Sequence, residues 1–78
     1  FNTANYAEAD KAFKELLETD NTNTEFQFYR AISNIELDNF EVADLLLKNL
    51  SKGTSAYKNK ATWYLALSKL KQNKLIQK

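Results

Sequence analysis

The chain has 78 residues, 44% of them hydrophobic and 13% aromatic, with a net charge of +1. That allows one domain at most, with enough apolar content for a core, although a globule this small buries only about 60% of its unfolded surface. With no Cys, thiolate metal sites are excluded and the redox compartment is unreadable; with no His either, no zinc site is expected; no signal-peptide pattern appears, and the longest apolar run, Trp63 to Leu67, is far too short to cross a bilayer.

A first helix is expected to open at Asn5, because Asn5-x-x-Glu8 has the spacing of a capping box. Its apolar stripe is Tyr6, Ala9, Phe13, Leu16 and Leu17. The run Thr19-Asp20-Asn21-Thr22-Asn23 ends it, since these side chains compete for backbone hydrogen bonds. Thr22-x-x-Glu25 restarts a second helix, reaching about Leu37. Asp38-Asn39 is a short turn that also caps a third helix, about Phe40 to Ser51. Gly53 suits a left-handed cap. Thr54 or Ser55 then caps a fourth helix to about Gln72, Asn73 makes another turn, and Leu75-Ile76 opens a fifth helix.

These elements repeat. Tyr6, Ala9, Phe13 and Leu16 recur as Phe40, Ala43, Leu47 and Leu50, 34 residues on. The block Phe28-Tyr29-Arg30-Ala31-Ile32-Ser33 returns as Trp63-Tyr64-Leu65-Ala66-Leu67-Ser68, 35 residues on. A period of this length marks stacked helix hairpins, and short loops make successive helices antiparallel neighbours. Ala9 and Ala43 recur where helices should approach most closely. The stripes Phe28, Ala31, Ile32, Ile35 and Trp63, Ala66, Leu67, Leu70 both follow the i, i+3, i+4, i+7 spacing of one buried face. Both are expected to be core, with Trp63 as a ligand anchor the alternative.

The residues carrying the period resemble the tetratricopeptide repeat, in which a helix with a W-x2-L-G-x2-Y pattern packs on one with A-x3-F. Ala9-x3-Phe13 fits the second element, and Ala43-x3-Leu47 fits it with Leu for Phe. Phe28-x2-Ala31-Ile32-x2-Ile35 and Trp63-x2-Ala66-Leu67-x2-Leu70 have the spacing of the first, with the small residue moved by one. The family's Pro between repeats is absent, and Asp20-Asn21 stands near its place. The resemblance implies an all-α right-handed solenoid of about two repeats: the second helix of repeat one over 5–19, repeat two over 24–51, the first helix of repeat three over 55–72, and a stub over 74–78. A chain that starts at Phe1 and stops as a helix opens reads as a piece of a longer array. A generic helical-hairpin repeat is the fallback.

In the tetratricopeptide family the first helices of the hairpins line a concave groove that holds a partner. The resemblance therefore makes Tyr29, Ser33 and Glu36, with their counterparts Tyr64, Ser68 and Lys71, candidates for a partner-binding groove. Tyr suits such a site, with a large ring and a polar tip; filling the joint between repeats is its other reading. Without the one-residue shift, Phe28 and Trp63 would face the groove instead. Glu25–Lys60 and Glu36–Lys71 are expected to pair across the repeat boundary.

Charge is lopsided. All ten acidic residues and three basic ones lie at or before Asp44, leaving −7; the eight basic residues from Lys48 onward leave +8. Such asymmetry serves either a polyanion-binding surface or a solvated end, and it predicts weak head-to-tail self-association. Lys outnumbers Arg ten to one and Asn appears nine times, which reads as nucleotide-composition bias. Ser33 and Ser68 have no His to activate them, the single Gly rules out a phosphate loop, and no cofactor, metal or small-molecule substrate is expected, so the chain reads as no enzyme. Tyr57, Lys58, Lys60, Trp63 and Tyr64 come closest to a nucleic-acid stripe but do not share one face. The expectation is a non-catalytic scaffold for a protein or peptide partner. The alternatives are an anion-binding surface on the basic half, for nucleic acid or acidic lipid, and a purely structural spacer. Compartment is not readable.

Overall fold

The computed structural model describes residues 3–76, and the side chains of residues 4–75. Four helices follow one another: α1 (Thr3–Thr19), α2 (Thr24–Glu36), α3 (Phe40–Lys52) and α4 (Lys58–Ile76), with no strand among the described residues. Each helix packs on the next, α1 on α2, α2 on α3 and α3 on α4, and α2 also touches α4. Short connections make neighbours antiparallel, so α2 and α4 run the same way, with α3 across both.

Several boundaries differ from the sequence reading. α1 starts at Thr3, so Asn5 lies inside its first turn and does not cap it. The cap of α2 is Asn23, not Thr22: its Oδ1 accepts the Phe26 N–H at 3.0 Å. The left-handed residue is Asp38 (φ 59°), not Gly53, which is extended (φ −84°, ψ −169°). Around Asp38 the amides close a Schellman motif, Asp38 N–H to Ile35 O at 3.0 Å and Asn39 N–H to Asn34 O at 2.8 Å. Asp tolerates this conformation better than most side chains. α4 opens at Lys58 after a turn in which the Ser55 hydroxyl accepts the Tyr57 N–H at 3.2 Å. It then runs through Asn73 to Ile76, where a turn and a new helix were expected. One Asn costs a helix only about 0.7 kcal/mol, and its neighbours Lys71, Gln72, Lys74 and Leu75 are good helix formers. Residues 77 and 78 of the expected stub lie outside the described residues.

The core is small. It joins Phe28, Ala31 and Ile35 of α2 to Ala43, Leu47 and Leu50 of α3 and Ala61 of α4. Ala31, Ala43 and Ala61 are all fully buried; small side chains on three helices let the backbones approach. Tyr57 stacks on Phe28 (centroids 4.9 Å) and Tyr64 meets it edge-on (5.4 Å). α1 adds no fully buried residue; its Phe13 lies 6.1 Å from Phe26 and 6.0 Å from Tyr29 of α2.

The second expected core stripe is a correction. Trp63 is 62% exposed and Leu70 53%, and Ala66 and Leu67 are exposed too. α2 has helices on both sides, whereas nothing among the described residues covers this flank of α4.

Candidate functional site

Two polar clusters bind the helices together, and both are built on an Asp. Asp10 of α1 accepts from Arg30 Nε at 3.0 Å and Asn34 Nδ2 at 2.6 Å. Thirty-four residues on, Asp44 of α3 accepts from Ser68 Oγ at 2.7 Å, Lys69 Nζ at 2.8 Å and Gln72 Nε2 at 2.9 Å. In each case the Asp lies 24 residues before its buried partner, Asn34 or Ser68. Asp10 and Asp44 obey the period but were missed, because the period was sought among apolar residues. Partial burial pushes the Asp44 carboxyl up, but hydrogen bonds from Lys69, Ser68 and Gln72, with the Lys69 charge, outweigh it and hold the group below the ordinary carboxylate range. Among the described residues no buried side-chain nitrogen or oxygen lacks a partner. These clusters therefore look like joints between helices.

The open site is a cleft of about 280 Å³ between α2 and α4. Ile32 and Ile35 of α2 and Tyr64, Leu67 and Leu70 of α4 make its apolar lining, and Glu36, Lys71 and Lys74 stand at its rim. Lys71 is already engaged: its Nζ lies 3.1 Å from Asp38 Oδ1 and donates to Ile35 O at 3.1 Å. A cation there also suits the negative end of the α2 dipole. Lys71 thus pairs with Asp38 instead of Glu36. Glu25 and Lys60 do not pair either, because both turn to Tyr57. Lys60 Nζ sits 5.8 Å from its ring centroid. Desolvation, followed by the charge of Glu25, pushes the Tyr57 hydroxyl pKa up.

Three of the six groove candidates, Glu36, Tyr64 and Lys71, border this cleft. Tyr29 is 45% exposed but stacks with Phe13 of α1, away from the cleft. Ser33 (5% exposed) and Ser68 (0%) are buried, with hydroxyls donated to Tyr29 O and Asp44 Oδ1. Neither offers a surface contact. Leu67 and Leu70, expected in the core, are exposed and line the cleft, while Ile32 both packs against the core and borders the cleft. The chain matches no family model, and no curated protein or solved structure is significantly similar to it. No group of three or more acidic side chains among the described residues could hold a metal ion. No described helix is long and apolar enough to cross a membrane.

Proposed function

We propose that this chain is a tetratricopeptide-like hairpin array acting as a non-catalytic scaffold, and that it holds an extended segment of a partner protein in the cleft between α2 and α4. The cleft carries the reading: an apolar strip with charges only at its rim, formed by the two helices that share the 35-residue sequence echo. At about 280 Å³ it falls just below the range of about 300–1,000 Å³ typical of small-molecule pockets. It suits a few apolar side chains of a peptide better than an enclosed ligand. Lys74 stands at the rim near the α4 C-terminus and favours an acidic residue at that end of the segment. The anion-binding alternative is weakened by the pairing of Lys69 with Asp44 and of Lys71 with Asp38.

Selection of a displayed random-peptide library on the wild-type chain tests this. Apolar peptides with an acidic end should emerge, and Leu67→Glu, at a position 37% exposed, should weaken them at least tenfold with helicity unchanged. Failure to enrich any peptide, or binding indifferent to Leu67→Glu, would end the reading.

A further inference from the structure

The interface between α2 and α3 has an open half at each end of the chain. On α2 the buried stripe is Phe28, Ala31 and Ile35, at 5%, 0% and 7% exposure, in one cluster with Ala43, Leu47 and Leu50 of α3 and Ala61 of α4. The counterparts of this stripe 35 residues on are Trp63, Ala66 and Leu70. These are exposed, the two large ones at 62% and 53%. On α3 the same cluster takes in Leu50, only 3% exposed, with Leu46 packed against it. Their counterparts 34 residues earlier, Ala12 and Leu16, are exposed, Leu16 at 44%. α4 therefore presents the α2 half of this interface and α1 presents the α3 half.

We infer that a second copy of this chain docks its α1 on the Trp63–Ala66–Leu70 flank of α4, in the place that α3 takes against α2. The occupant follows from the repeat itself, since α1 is the helix of this chain that carries the α3 pattern and is left uncovered. Charge agrees: α4 carries five Lys and no acidic residue, while α1 carries four acidic residues and two Lys. Opposite fields steer such partners together and weaken with salt. The contact is head to tail, so it joins unlike surfaces and leaves both outer ends free. Unlike a two-fold dimer, it is not closed by a single contact. It shares Leu70 with the cleft, whereas Trp63 and Ala66 do not border it, so the substitutions that test the contact lie outside the cleft.

Sedimentation velocity from micromolar to millimolar concentration tests this on the whole chain. Wild type should form a ladder of species that shortens as salt rises. Trp63→Lys blocks the α4 end and Leu16→Lys blocks the α1 end; both sites are exposed, so circular dichroism should show both variants folded. Each variant alone should associate at least tenfold more weakly than wild type. Mixed in equal amounts they should form a one-to-one pair and nothing larger, because one intact junction remains and the two new lysines repel at the other. A wild type that stays monomeric at millimolar concentration would overturn the proposal, as would single variants that associate like wild type or a mixture that does not pair.

Discussion

Replacing Phe28 by Ala removes a ring that is 5% exposed and touches Tyr29, Tyr57 and Tyr64 at centroid distances of 5.6, 4.9 and 5.4 Å. Truncating a buried Phe costs about 3–5 kcal/mol through lost burial and the cavity left behind. A chain of this length is stable by about 4–12 kcal/mol at roughly 0.05–0.15 kcal/mol per residue. Phe28→Ala should therefore remove about a quarter of the stability or more, and at the lower end unfold the chain. Trp63→Ala makes the same kind of truncation at the equivalent position, but the ring is 62% exposed. Its cost should be about 1 kcal/mol or less, since little water-excluded surface is lost and Ala favours the helix. Urea titration followed by circular dichroism at 222 nm, at micromolar concentration, reads both losses from the shift in midpoint at constant slope. Fluorescence will not serve, because Trp63 is the sole Trp. Equal losses for the two variants, or a larger loss for Trp63→Ala, would refute the assignment of buried and open flanks.

Ala43→Leu should overpack the junction where Ala31, Ala43 and Ala61 are fully buried and cost about 1–3 kcal/mol; an unchanged urea midpoint would contradict that close approach. Gly53→Ala should be neutral or stabilise by up to about 1 kcal/mol, because its φ is negative and a Cβ would meet only Asn49 O and Leu50 O at 3.6 Å; a clear loss of thermal stability would argue for a left-handed cap after all. Asp44 has a depressed carboxyl pKa in the folded chain, so its contribution is complete above the unfolded value near about pH 4 and is lost as pH falls through the folded value. Asp44→Asn should then lower the melting temperature at neutral pH and flatten its fall in acid; a variant that loses as much as wild type on acidification would count against the Asp44 cluster.

The period of 34 to 35 residues and the apolar stripes were enough to place four helices in order and to make Ala43 a close contact, because helical periodicity depends only on local spacing. Local chemistry also put the turns near residues 20–23 and 37–39. It could not choose between neighbouring capping residues, so Thr22 stood for Asn23, and it put a left-handed residue at Gly53 but not in the Asp38-Asn39 turn where one occurs. Such choices turn on which backbone amides a side chain meets in three dimensions. Nor could the stripe pattern separate Phe28 from Trp63. Both lie on the same face of equivalent helices, but burial needs a second helix against that face, and of these two helices α2 alone has one on each side among the described residues. Tertiary packing likewise gave Ser33 and Ser68 interior partners and opened Leu67 and Leu70 to the cleft. It drew Lys71 to Asp38, because the left-handed turn swings that carboxylate to the end of α2, within reach of α4. Spacing along the chain thus determined which residues share a helix face. Which of those faces are covered was decided by the neighbours that the folded chain supplies.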